Sequence, residues 1–265
     1  LPICKGLNQS LALARSGAET YHAGAIGEDG LFLREMLREA GVRTDYISVL
    51  NEIPSGHAVI QNDAGGDNCI LIYGGANFAI GKEMIDKVLS AFDRGDLIVL
   101  QNEINNLPYI MEKAAEKGMR IAFTPAPMRE EVLHYPLEKL DYLLLNEVEA
   151  AQILGLEKLP DDYTDLAKAL IKKFPALKIV LTLGAAGAVY ADAGRIIPQK
   201  AYPVKAVDST GAGDTYAGYF LGSLMTGASL EEALERASKA AALAVTKEGA
   251  APSVPLKEAL EAFEI

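Results

Sequence analysis

Val207-Asp208-Ser209-Thr210-Gly211-Ala212-Gly213-Asp214-Thr215-Tyr216-Ala217-Gly218 sets the reading of this chain. A short strand is predicted over 204–207, ending where the string begins. Tyr216, Phe220, Leu221, Leu224 and Met225 then recur at helical spacing. Gly211-Ala212-Gly213 is therefore expected at a helix N-terminus. Backbone N–H groups without intrahelical partners, together with the helix dipole, make an anion site there. Glycine lets the backbone come close to a phosphate. Asp214 stands beside that site. A carboxylate in this place can take the proton of an attacking hydroxyl, while the N–H groups stabilise charge on a transferred phosphoryl group. The plain structural alternative is a glycine turn with Asp214 favouring the helix start. The string is not a Walker A loop, since no Gly-Lys-Ser/Thr follows, and its spacing is not the GxGxxG of a dinucleotide fold.

Outward from this string, strands alternate with helices. Strands are predicted over 96–101, 120–124, 140–145, 178–183 and 188–191, and helices over 107–118, 147–154 and 164–174. Ser229 with Glu232 reads as a capping box opening a helix that carries Ala233, Leu234, Ala237 and Ala241. This alternation implies an α/β fold with a mostly parallel sheet and helices on both faces, a three-layer α/β/α arrangement. Ligands in such folds sit at the carboxyl ends of the strands. One segment breaks the rhythm. The β-rich runs 57–61 and 68–73 flank Asn62-Asp63-Ala64-Gly65-Gly66-Asp67, a hairpin signal. We read 1–265 as a single domain with a β-hairpin lid over 52–76; a plain edge hairpin is the alternative.

Composition narrows the function. The 265 residues are 50% hydrophobic and 23% charged, with a net charge of −11. That length supports a substantial core. General binders of nucleic acid or anionic membranes carry the opposite sign, so neither partner is expected. Cys4 and Cys69 form no CxxC pair, and His22, His57 and His134 show no zinc spacing. No apolar run approaches the roughly 20 residues that span a bilayer, and no signal peptide opens the chain. A reducing, cytoplasmic setting is the expectation.

Asp208-Ser209-Thr210-Gly211-Ala212-Gly213-Asp214-Thr215 resembles the C-terminal signature of the ribokinase (PfkB) family of carbohydrate kinases. Tyr219 departs from it, since the family usually has a small residue there. The resemblance runs along nearly the whole chain. Lys5-Gly6-Leu7-Asn8-Gln9-Ser10, Gly17 and Gly27 resemble the N-terminal signature, and Gly24 to Gly30 the next family string. Gln101-Asn102-Glu103 is similar to a sugar-binding segment, and Thr124-Pro125-Ala126-Pro127 to a turn that usually begins with asparagine. Asn146-Glu147-Val148-Glu149 is similar to the family's NxxE motif, Thr182 to Gly187 to its TLGxxG loop, and 244–255 to its C-terminal string.

The resemblance implies a ribokinase-like fold and transfer of phosphate from ATP to the primary hydroxyl of a sugar, a pentose such as ribose in the first place. It casts Asp214 as the base and Gly211, Ala212 and Gly213 as the anion hole. Lys5, Gly6, Asn8 and Glu103 would meet the sugar. Asn146, Thr182, Gly184 and Gly187 would meet the nucleotide, with Gly213 touching its phosphates. Glu149 would act indirectly on Mg²⁺. Asp208, Thr210, Lys247, Gly249 and Ser253 would surround K⁺, partly through carbonyl groups. A homodimer through the lid is the family expectation. Each residue also has a structural reading, and Asn146 and Glu149 are types that simply favour a helix start. Another sugar or nucleoside kinase of the family, or a non-catalytic nucleotide- or sugar-binding relative, is the alternative.

The chain departs from the family at its start. Members carry a first strand and a further stretch before the lysine-glycine segment, with an aspartate that grips the sugar, so a shortened N-terminus is expected here. Ile3-Cys4 stand where two glycines are usual, and side chains there would crowd a sugar.

Overall fold

The computed structural model describes residues 4–62 and 68–263. In chain order the elements are α1 (Lys5–Arg15), β1 (Tyr21–Gly27), α2 (Leu31–Glu39), β2 (Arg43–Leu50), β3 (His57–Asn62), β4 (Asn68–Tyr73), α3 (Lys82–Leu89), β5 (Leu97–Gln101), α4 (Leu107–Glu116) and β6 (Arg120–Thr124). They continue with β7 (Tyr142–Asn146), α5 (Glu147–Leu154), α6 (Tyr163–Lys173), β8 (Lys178–Thr182), β9 (Ala188–Ala191), β10 (Ile196–Gln199), α7 (Ala212–Met225), α8 (Leu230–Ala244) and α9 (Lys257–Glu261). By contacts the chain divides into two compact units, one made of the chain to Ile80 with Lys205 onward, the other of Gly81–Val204.

The Gly81–Val204 unit is built on a six-stranded sheet in the order β10-β9-β8-β7-β6-β5. β5 to β8 run parallel, and β9 and β10 are antiparallel additions at one side. The near-continuous apolar runs of β7 and β8 are buried along almost their whole length, as parallel strands covered on both faces require, and the antiparallel β9 beside them is buried throughout. Asn146 pairs in register with Thr182 where β7 and β8 end. Side by side at strand carboxyl ends, these two residues stand where ligands bind in open α/β sheets.

In the other unit, β1 and β2 pair in parallel and β3 and β4 form an antiparallel ribbon. Leu7 and Leu11 of α1, Leu37, Val42 and Ala251 make a shared core. Residues Asp214 to Ser223 of α7 are all buried, the pattern of a helix packed on every side. Its neighbour α8 opens with the expected box. Ser229 Oγ accepts the Glu232 N–H, and Glu232 returns a carboxylate oxygen to the Ser229 N–H.

Three sequence expectations change. The predicted strand over 204–207 is not there: the segment pairs with no strand, and the Val207 and Asp208 N–H groups both donate to the Val245 carbonyl. β10 was not anticipated, because Pro198 reads as a strand breaker; it lies at the sheet edge, where a missing N–H is tolerated. The pattern also gave no warning of β1, α2 and β2. The turn 63–67 and Leu1 to Ile3 lie outside the described residues. Cys4 is the N-cap of α1 and makes no side-chain cap.

Candidate active site

The base predicted from sequence lies in the first turn of α7, with only 6% of its surface exposed. Gly211 is the N-cap of that helix, with φ at +77°, a left-handed conformation open chiefly to glycine. A β-carbon there would also come within 2.9 Å of Ala250 Cβ. Of the three predicted anion-hole amides, Ala212 N–H already donates to the Ser209 carbonyl at 3.2 Å. The Gly213 and Asp214 amides have no acceptor among the described residues, and a β-carbon on Gly213 would meet open space. Among the described residues the helix mouth thus offers two N–H donors without acceptors, with open space beside Gly213.

Helix α1 supplies the other wall. Asn8 Nδ2 donates to Asp214 Oδ2 and Gln9 Nε2 donates to Asp214 Oδ1, both at 3.0 Å. Asn8 and Gln9 are each 1% exposed. The Asn8 Oδ1 atom is buried with no hydrogen-bond partner among the described residues, an acceptor whose hydrogen-bonding capacity the fold leaves unused. Lys5 and Gly6 form the first turn of the same helix, half-buried. Gln9 was not singled out in the sequence; its position beside Asn8 in Asn8-Gln9-Ser10 was the available signal.

Asp208 organises the turn before α7. Its Oδ1 accepts both the N–H and the hydroxyl of Thr210, at 2.9 and 2.6 Å, and its Oδ2 accepts the Gly249 N–H at 2.9 Å. The Thr210 hydroxyl, then the two N–H groups, hold the Asp208 carboxyl below its ordinary range. Lys247 and Gly249 follow α8, and Ser253 is buried with N–H and hydroxyl both on the Ala250 carbonyl. Tyr219, the departure from the family pattern, is buried and donates to the Pro255 carbonyl at 2.7 Å. Arg15 donates to the Val254 carbonyl. The segment after α8 is thus pinned by Asp208, Tyr219 and Arg15.

In the Gly81–Val204 unit, Asn146 and Glu149 form a capping box that opens α5, so the structural role foreseen for them is met. Thr182 ends β8 with its hydroxyl on the Leu145 carbonyl at 3.4 Å, and Gly184 to Gly187 make the turn into β9. Glu103 lies in the turn after β5, half-buried. Beside it, Asn102 joins that turn to the Ala126–Pro127 segment through Pro127 and is itself held by Tyr135.

The family model for pfkB family carbohydrate kinases matches residues 5–257. The chain belongs to that family. Ribokinase of Arabidopsis thaliana is 33% identical to this carbohydrate kinase over 260 residues, 95% of this chain and 69% of that protein. The solved ribokinase of Cryptococcus neoformans in complex with ADP superposes with a TM-score of 0.87 at 31% identity, covering 97% of this chain and 87% of its own. Arabidopsis thaliana ribokinase complexed with ribose and ATP gives 0.84 at 29%, covering 97% and 86%. The fold of this pfkB-family kinase is therefore ribokinase-like, α/β with a mostly parallel sheet. Among the described residues, no helix is long and apolar enough to cross a membrane.

Proposed function

We propose that this kinase transfers the γ-phosphoryl group of ATP to the primary hydroxyl of ribose, giving ribose 5-phosphate. One observation carries the reading: a buried aspartate at a helix mouth, gripped through both oxygens, beside two amides that have no acceptor among the described residues. The sugar would lie against Lys5, Gly6, Asn8 and Glu103, with the Asn8 Oδ1 atom accepting one of its hydroxyl hydrogens. The nucleotide would lie along Asn146, Thr182, Gly184 and Gly187, with its phosphates reaching Gly213.

Asp214 takes the proton of the primary hydroxyl as that oxygen bonds to the γ-phosphorus. The bond from phosphorus to the departing ADP oxygen breaks in the same displacement. The Gly213 and Asp214 amides, with the open turn at Gly211 and Ala212, receive the negative charge that builds on the transferred group.

Among the described residues, no three acidic, histidine or cysteine side chains cluster as a metal cage. That fits an ion held mainly by phosphate oxygens and water, as Mg²⁺ is, with Glu149 acting at a distance. Bound there, Mg²⁺ would supply charge neutralisation on the phosphates. A monovalent ion fits the other donor set. The Asp208 carboxyl is held low by the Thr210 hydroxyl and the Thr210 and Gly249 N–H groups, and Thr210, Lys247, Gly249 and Ser253 would add hydroxyl and carbonyl oxygens, the hard donors K⁺ takes. Leu71, Ile72 and Tyr73 expose apolar surface on β4, which supports pairing of two copies through the lid.

ATP consumption with ribose and Mg²⁺, with and without K⁺, tests the reading beside an Asp214→Asn control. Ribose-dependent turnover that the control loses, with nucleotide binding kept, supports it. Preference for fructose, deoxyribose or a nucleoside in a panel under equal conditions would replace ribose within the same chemistry. ATP binding without transfer to any acceptor would favour a non-catalytic relative.

A further inference from the structure

The two donors to Asp214 are not equivalent. Asn8 gives its amide N–H to Oδ2 and keeps a buried oxygen without a partner among the described residues, so it is set to meet a ligand as well. Gln9 gives its N–H to Oδ1 from a stretch of α1 that packs closely on α7. A β-carbon on Gly218 would stand 2.9 Å from the Gln9 carbonyl oxygen and 2.4 Å from Ala12 Cβ. The Gln9 backbone is therefore held against the helix that carries the base.

We propose that Gln9 is the positioning residue of the base. The inference rests on Asp214 acting as proposed above. Gln9 fixes Oδ1 and with it the rotamer of the carboxylate. Oδ2 is then the oxygen that receives the hydroxyl proton once Asn8 is engaged by the sugar. A carboxamide suits this task because it orients the carboxylate through a hydrogen bond without placing a full positive charge on it, which would weaken the base.

The test compares Gln9→Met, which keeps length and removes the donor, in wild-type and Asp214→Asn backgrounds. In the wild type, kcat falls about 10- to 100-fold, the size expected when a reacting group is misplaced. KM for sugar and for ATP stays within about twofold. In the Asp214→Asn background the same change costs no further turnover, because the effect of Gln9 on kcat passes through the carboxylate. An equal loss in both backgrounds, or a change carried by KM, makes Gln9 a packing residue and overturns the inference. Gln9→Glu keeps the volume where Met fails to fold, sets acceptor against acceptor, and is expected to lose kcat in the same way. A crystal structure of either variant decides placement without turnover: a displaced Asp214 carboxylate supports the inference, and one left in its wild-type rotamer overturns it. Turnover surviving in Asp214→Asn alone would instead overturn the assignment of the base, a separate result.

Discussion

Gly218 of α7 and Ala12 of α1 approach so closely that a β-carbon on the glycine would lie 2.4 Å from Ala12 Cβ. One turn on, a β-carbon on Gly222 would reach Ser16 Oγ at 1.9 Å. Contacts thus advance along both helices in the same direction, from Asn8 with Asp214 to Ser16 with Gly222. This parallel seating brings the two carboxamides to Asp214.

Gly218→Ala is expected to cost stability, because backbone and Cβ atoms cannot step aside. Overpacking of this kind costs about 1–3 kcal/mol, partly offset by the roughly 1 kcal/mol that alanine gains over glycine in a helix. Gly222→Ala should cost less, since a hydroxyl can rotate away. Thermal melts of the two variants check the order, and kcat should fall further than binding in Gly218→Ala.

Asp208→Asn removes the charge and one of the acceptors that join Thr210 to Gly249. We expect weaker nucleotide binding and loss of stimulation by K⁺, with Asp214 chemistry otherwise intact. The pH dependence has a definite sign. Because the folded carboxyl is held low, its contribution is present above the ordinary carboxylate value and lost as pH falls through the folded one. K⁺ titrations of nucleotide affinity for wild type and variant provide the measurement.

His22 is pushed down to about 4 by desolvation, with Ser10 Oγ 2.8 Å from its Nδ1. The unfolded chain therefore binds this proton more readily than the fold does, from an ordinary value of about 6.5 downward. Stability from the neutral ring is full above that value and declines as pH falls toward 4. The difference in Tm between pH 7 and pH 5 should shrink in His22→Gln, where nothing titrates in that window.

Asn146 caps α5, and one pair of substitutions separates that role from the proposed one at the nucleotide. Asn146→Asp keeps a good N-cap and should keep the melting temperature, while its charge repels phosphate and weakens ATP binding. Asn146→Ala should lose about 1 kcal/mol of stability with the cap. Calorimetry on both variants, with and without ATP, distinguishes the outcomes; unchanged ATP affinity in Asn146→Asp removes this residue from the nucleotide site.

What the sequence revealed follows from how local each signal is. The mouth of α7 was legible because Gly211, Gly213 and Asp214 are neighbours whose conformational and electrostatic demands are met within one turn. Helix α5 was read to the residue because its box and its left-handed cap at Gly155 are local as well. The strand expected over 204–207 failed for the opposite reason. A short run such as Val204 to Val207 makes a strand only when a ladder partner is in reach, and here the carbonyl of Val245 takes the Val207 and Asp208 N–H groups instead. The hold of Gln9 on Asp214 joins residues 205 positions apart, and no periodicity reports such a contact.

That distance also bears on how the enzyme is made. Asp214 and the carboxamides that grip it lie on either side of the whole Gly81–Val204 unit in the chain. A ribosome must finish α7 before Asp214 can meet donors synthesised long before, so competence arrives late and all at once rather than growing with chain length. Translation halted inside the intervening unit yields α1 with Asn8 and Gln9 deprived of the Asp214 acceptor and the cover of α7, a product for quality control rather than a partial kinase.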